Sequence, residues 1–440
     1  MESAMERFNR RQFLALSALL PLRLREEHRP IPRESSVVAA LKAGESLPFG
    51  APSTPSSVSA VALREAFPDL RRHFVFEYYP WYGRDPWRHW NEAGRNPPDD
   101  LATEYFPRLG PYDSRDLSVL EQHARWIAES GAGSIALSWW GSGDFEDRSV
   151  DRVMDVMKDH GIAVTFGLEP YAVDRGIRFV DDVLYLLTRY GERRGWDAFL
   201  VLKNADGSEA PVFKVFRSIL PRTVVDCHGV THVVSDYTPD ELWRRQIATL
   251  RRELRWDFDR IVLLADSLDF GRTPDSGFDG IGIYDNFIAP EQYHPLARGA
   301  SERGLLFSFN VNPGYDEVLL QEIAPDSCYV PPPFEPPSGA PLDFTMFEHR
   351  EAAALLSADR VRRSLSATVA AQTDPALVNH QRGFFLVYVN SFNEWHEGHA
   401  FEPMKNDVEL TADERVHGYH NPAQGDYRLI ALANELRSFL

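Results

Sequence analysis

Eight short apolar runs, each followed by a polar or aromatic loop and then a stretch of helical periodicity, constrain this chain more than any other feature. They are "HFVFEYYP" (73–80), "SIALSWW" (134–140), "IAVTFGLEP" (162–170), "PVFKVF" (211–216), "RIVLLAD" (260–266), "GIGIYD" (280–285), "LLFSFNVNP" (305–313) and "FFLVYVNSFNEW" (384–395). Runs that are apolar at nearly every position suit parallel strands covered on both faces. The segments between them have helical spacing. Leu117, Leu120, Ala124 and Ile127 share one face of a helix that stops at Gly131, and Val150, Val153, Met154 and Met157 do the same before Gly161. This alternation over residues 70–440 predicts an α/β chain folded as one (β/α)8 TIM barrel. An open doubly wound sheet is the alternative. It would carry a glycine-rich phosphate loop after the first strand, where this chain reads "YYPWYG".

The chain before the barrel reads differently. "FNRRQFLALSALLPL" (8–22) pairs Arg10 and Arg11 with a short apolar run, which resembles a twin-arginine export signal. Residues 1–30 are expected to be that signal, sending the protein to the periplasm or outside the cell. The plain alternative is a basic tail on a cytoplasmic protein. The run is too short for a membrane-spanning helix. Residues 31–69, which include the Pro- and Ser-rich "ESLPFGAPSTPSSVSA" (45–60), are expected to be linker. The two cysteines, Cys227 and Cys328, exclude a disulfide framework and disfavour a cysteine-rich metal site. A net charge of −18 argues against a nucleic-acid partner.

In a barrel, function belongs at the C-terminal ends of the strands. Those ends read "YYPWYG", "SWWGSGD", "LEPY", "ADSLD", "YDNF", "NPGYD" and "NSFNEWHEG". Aromatic faces stack on sugar rings, while carboxylates and amides bond hydroxyls, so the rim suits an oligosaccharide or polysaccharide. The fourth end, "FKVFRS", is the exception: it supplies Lys214 and Arg217, which would favour an anionic glycan if they reach the cleft.

The last rim segment concentrates the chemistry. Glu394 and Glu397 would point to opposite faces of a strand but share a face in a helical turn. If the chain turns after Phe392, both carboxylates lean over the barrel mouth, as a glycosidic bond requires. The bland alternative is an exposed loop with solvated glutamates. "HEGHA" (396–400) comes near the zinc-protease pattern, but Ala400 stands where the second histidine belongs. His396 and His399 are therefore expected to hydrogen-bond the sugar or the glutamates, with no metal and no cofactor.

Taken together, "EYYPWYG" (77–83), "PPDDLATEYFPRLGPYDSRD" (97–116), "LSWW" (137–140), "LEPY" (168–171), "FDGIGIYDNF" (278–287), "NPGYD" (312–316) and "SFNEWHEG" (391–398) resemble glycoside hydrolase family 99, the endo-α-1,2-mannosidases and mannanases. The resemblance implies a metal-independent barrel that cleaves within mannose chains with retention. It implies that Glu394 is a general base acting on the substrate's own 2-hydroxyl, which attacks the anomeric carbon to give a 1,2-anhydro sugar. Glu397 would be the general acid. Tyr79 and Trp81 would line the cleaved sugar's site, Trp140 would touch its non-reducing neighbour, and Glu169 and Tyr284 would complete the pocket. Asn393 and His396 join this substrate-binding set. The chain departs from the family pattern at "FKVFRS" and at Gly167, where a histidine is frequent. A catalytically silent glycan-binding barrel and a polysaccharide-assembly enzyme are the alternatives. A monomer is expected.

Overall fold

The computed structural model describes residues 57–226, 228–284, 288–314 and 342–440. The export-like stretch lies outside the described residues, as do Cys227 and Cys328. The parallel strands are β1 (Phe74–Tyr78), β2 (Ser134–Trp139), β3 (Ala163–Leu168), β4 (Glu209–Val215), β5 (Val262–Ala265), β6 (Gly280–Gly282), β7 (Leu306–Ser308), β8 (Asn310–Val311) and β9 (Val387–Val389). Pairing runs β7–β6–β5–β4–β3–β2–β1–β9–β8. The two ends of that path, β7 and β8, are consecutive pieces of one strand broken only at Phe309. The sheet therefore closes on itself as an eight-stranded parallel barrel.

Strand alternation sorts each run onto two buried faces. Phe74, Phe76, Tyr78, Ile135, Leu137, Trp139, Val164 and Phe166 face the helices in one core cluster. Val75, Ala136, Ala163, Val212, Val262, Leu264, Leu386 and Tyr388 fill the barrel interior in another. Because both faces are dry, the sequence shows no polar alternation. A short antiparallel strand, Val201–Lys203, pairs with β4 and adds Leu202 to the interior cluster, beside Leu200 just before it.

The helices follow the expected spacing with one exception. On Leu117–Ser130, Leu120, Ala124 and Ile127 are buried, but Leu117, the first residue of the helix, is 56% exposed. Gly131 caps this helix at φ 95°, a conformation open to glycine. Val150, Val153, Met154 and Met157 are all buried on Phe145–Asp159. Part of the stretch expected as linker is also helical: in Ser57–Ala66, Ala60 and Leu63 are buried, and Phe67 and Leu70 follow them into the core. No helix among the described residues is long and apolar enough to cross a membrane.

Two buried histidines tie the fold's stability to pH. His73, at the foot of β1, lies 2.6 Å from the Phe385 carbonyl through Nδ1, and burial pushes it down to about 4. Burial likewise pushes His420 down to about 4. The unfolded chain binds these protons near pH 6.5, whereas the folded chain does not until about pH 4. Stability should therefore fall as pH drops from about 6.5 to about 4, with His73 accounting for about 3 kcal/mol. His73→Gln keeps an amide donor for Phe385 and should flatten this part of the denaturation-midpoint profile. An unchanged slope would contradict the assignment.

Candidate active site

Beyond β9 the chain leaves the barrel as a loop that is buried at every residue from Ser391 to Glu402. Its backbone doubles back: the N–H of Phe401 donates to Ser391 (2.9 Å) and that of Glu402 to Phe392 (2.7 Å). Between these rungs, Trp395–Glu397 makes one 3-10 turn, closed by Gly398 at φ 74°. That turn replaces the continuing strand and brings Glu394 and Glu397 to one side, as their spacing predicts. Glu402 anchors the loop from below. Its Oε2 accepts from Tyr112 Oη (2.7 Å) and Trp395 Nε1 (2.8 Å). Arg428 donates to the carbonyls of Gly398 and Ala400, each at 2.9 Å. Asn393 ties the loop to the first strand end: its Oδ1 accepts from the Tyr79 N–H (2.8 Å), and its Nδ2 donates to the Tyr79 carbonyl (3.0 Å).

Glu394 and Glu397, both fully buried, meet at one phenol. Tyr284 Oη lies 2.7 Å from Glu394 Oε2 and is also hydrogen-bonded to Glu397 Oε2. A hydroxyl carries one proton and donates it once. The phenol therefore donates to only one of the two carboxyl groups at a time. His399 Nε2 stands 3.0 Å from Glu397 Oε2 and 3.2 Å from Tyr284 Oη. Burial pushes this imidazole below its ordinary value and outweighs the opposing pull of Glu397. Ser391 Oγ, 3.2 Å from His399 Nδ1, also accepts the Glu394 backbone N–H at 2.9 Å. Tyr284 is fixed in turn. Its N–H donates to Asp266 (3.1 Å), and its carbonyl accepts from Asn310 (2.7 Å) and Asn390 (3.0 Å).

Beside this centre lies a small pocket. It is lined by the inward residues of four strand ends: Glu77 and Tyr79, Ala136 and Ser138, Gly167 and Glu169, Lys214 and Phe216. Ser138 Oγ donates to Glu169 (2.9 Å), and the Trp140 indole donates to Ser138 (3.2 Å). Trp81 packs against Tyr79 at 4.6 Å, with Trp140 at 6.5 Å and His396 at 5.3 Å between ring centroids. The described structure thus gathers Tyr79, Trp81, Trp140, Glu169, Tyr284, Asn393, His396 and the two glutamates at one end of the barrel.

The basic pair behaves otherwise than expected. Lys214 is ion-paired with Glu77 across the barrel interior, and Arg217 makes a two-pronged pair with Asp236 (2.9 and 3.0 Å). Each cation is neutralised inside the protein, so neither offers an uncommitted charge to an anionic glycan. Sequence reasoning also left Ser391, Glu402, Tyr112 and Arg428 without roles, because they act on the loop through distant partners. Among the described residues, two groups converge as metal ligands do: Glu394, Glu397 and His399, and His89, Glu92 and His396, each with ligand atoms within 4.8 Å. In the first, the Tyr284 hydroxyl already bonds all three residues. In the second, His89 Nδ1 is paired with Glu92 (2.5 Å) and His396 Nδ1 with Tyr82 Oη (3.3 Å).

Buried carboxyl groups that meet at one phenol, beside an opening walled with indole and phenol rings, serve the cleavage of bonds between sugars, and the chain is a glycoside hydrolase. The family follows from the sequence: the model of Glycosyl hydrolase family 99 matches residues 70–322, more than half of the chain, and the chain belongs to that family. Its relatives include a glycoprotein endo-alpha-1,2-mannosidase-like protein of Danio rerio, 26% identical over 77% of this chain and 73% of that one. The glycoprotein endo-alpha-1,2-mannosidase of Mus musculus is 25% identical over 82% of this chain and 75% of that one. Among solved structures, the GH99 endo-alpha-mannosidase from Bacteroides thetaiotaomicron shares the fold with a TM-score of 0.58. It is 20% identical, over 84% of this chain and 97% of that one.

Glu402 gives the site its test. Glu402→Ala strands the Trp395 N–H and the Tyr112 O–H without an acceptor, a cost of about 1–3 kcal/mol for each group. Glu402→Gln keeps one oxygen that can serve both donors. The alanine variant should lose stability and most turnover, while the glutamine variant retains both. Equal denaturation midpoints for the two variants would contradict the anchoring role.

Proposed function

We propose that this chain is a retaining, endo-acting glycosidase for α-1,2-linked mannose-type glycans, with Glu394 as general base on the substrate 2-hydroxyl and Glu397 as general acid. The observation that carries the proposal is the single phenol, Tyr284, bonded to both carboxyl groups. One oxygen of each glutamate lies within 4.8 Å of the other, well below the roughly 6.5–9.5 Å that admits a water in inverting enzymes. That spacing supports retention. In this reading a protonated Glu397 donates to Tyr284, and Tyr284 donates to Glu394.

In the first step Glu394 takes the proton of the 2-hydroxyl as that oxygen attacks C1. Glu397 delivers its proton to the departing glycosidic oxygen. A 1,2-anhydro sugar results. Water then opens it at C1 with the roles reversed: Glu397, now ionised, takes the water proton, and Glu394 returns its own to the 2-oxygen. Trp81 supports a sugar contact, since its indole N–H is buried without a hydrogen-bond partner. The names of the relatives support the α-1,2-mannoside linkage. The route uses no metal, and the twin-arginine-like segment supports export.

Glu397→Gln should lower cleavage of natural glycans by roughly 10²–10⁴-fold, while aryl glycosides with acidic leaving groups keep most of their rate. Glu394→Gln should be slow on both. Dialysis against a chelator should leave wild-type turnover unchanged. Equal losses on both substrates for Glu397→Gln would remove the acid assignment.

A further inference from the structure

The pocket beside the two glutamates owes its room to small residues. Ala136, Ser138 and Gly167 occupy inward positions where larger side chains would fill the barrel mouth. Glu77 projects into this space from β1 and Lys214 from β4, and they meet across it. Both are nearly inaccessible, at 6% and 3% exposed. A buried ion pair normally has its remaining valences filled, because an unmatched charged atom in a low dielectric is costly. Here they are open. Glu77 Oε2 has no hydrogen-bond partner among the described residues. Of the three ammonium protons of Lys214, one goes to Glu77 Oε1, and no other hydrogen bond of Lys214 exists in the described structure. The ammonium otherwise faces the rings of Tyr284 (5.5 Å) and Tyr388 (5.0 Å).

An acceptor and a donor held side by side, each with an open valence facing the same pocket, match two neighbouring hydroxyls. One hydroxyl donates to Glu77 Oε2 and the next accepts from Lys214 Nζ. We propose that Glu77 and Lys214 form a charge-neutral clamp that binds a pair of adjacent hydroxyls on an uncharged sugar in the pocket beside Tyr284. This rests on the reading of the chain as a glycosidase for neutral mannose-type glycans, and it names the group that selects for them. The pair brings no net positive charge. An anionic sugar would instead bring its carboxylate toward Glu77 and toward Glu169, which lines the same pocket. The clamp therefore reverses the expectation drawn from Lys214 alone.

The test uses the full chain as wild type, Glu77→Gln, Lys214→Met, and the double variant Glu77→Lys with Lys214→Glu. The double variant keeps the internal ion pair but exchanges donor and acceptor. Binding is measured by calorimetry against uncharged α-linked manno- and gluco-oligosaccharides, their singly deoxygenated derivatives, and uronic-acid oligosaccharides. Turnover of α-1,2-mannan is measured in parallel. The clamp predicts that wild type binds an uncharged glycan and loses about 10- to 100-fold when either of two adjacent hydroxyls is removed. Each single variant should bind the parent glycan weaker by a similar factor and lose its sensitivity to one of those positions. The exchanged pair should keep the wild-type melting temperature and lose the preference. A purely structural pair would lower the melting temperature without changing which hydroxyls matter, and that result overturns the clamp. So does tighter binding of uronic-acid glycans by wild type. Clamp-dependent binding without any turnover of α-mannan would leave the clamp standing and remove the mannosidase reading.

Discussion

Two carboxyl groups within 4.8 Å of each other and sealed from water resist carrying two charges, and the site is built around that resistance. Like charges at this range raise the cost of ionising the second group, and burial raises it further. A shared phenol lies between them and is hydrogen-bonded to one oxygen of each. The arrangement depends on position. If Tyr284 moved by a fraction of its hydrogen-bond length, the two glutamates would be left to repel one another. Its backbone is accordingly held on three sides, by Asp266, Asn310 and Asn390.

Barrel closure supplies that precision. Asn310 begins β8, the strand piece that pairs with β9, and Asn390 directly follows β9. The same closure lets Asn393 grip the Tyr79 backbone at the end of β1, so the loop that carries the glutamates is tied to both neighbours of its strand. Glu402 and Arg428 hold the loop's far side. Rigid strands set the positions of the loop ends, and buried polar contacts set the loop, so little entropy remains to be lost when a substrate orders the site.

The sequence made the barrel legible because strands buried on both faces leave near-continuous apolar runs, and eight were visible. It made the turn at Glu394 and Glu397 legible because three-residue spacing has one geometric meaning at a strand end. It hid what topology alone brings together. Lys214 read as an uncommitted cation because Glu77, 137 residues away, is joined to it only by the barrel. Arg217 misled for the same reason, with Asp236 on a later loop. The last run overstated its strand: of "FFLVYVNSFNEW", only Val387–Val389 is strand, and the residues after it turn to form the site. Ser391 and His399 stood in the quoted segments, yet a motif does not say which atom meets which.

The account's central claim is that Glu394 acts on the sugar's own 2-hydroxyl and does not attack carbon. The most direct measurement is turnover of a matched pair of α-mannosides with the same good leaving group, one with a free 2-hydroxyl and one without it. The account predicts efficient cleavage of the first and no cleavage of the second, with no covalent adduct on Glu394 in mass spectra of enzyme quenched during turnover. Efficient cleavage of the 2-deoxy substrate, or a glycosyl ester trapped on Glu394, would contradict it and make Glu394 a nucleophile.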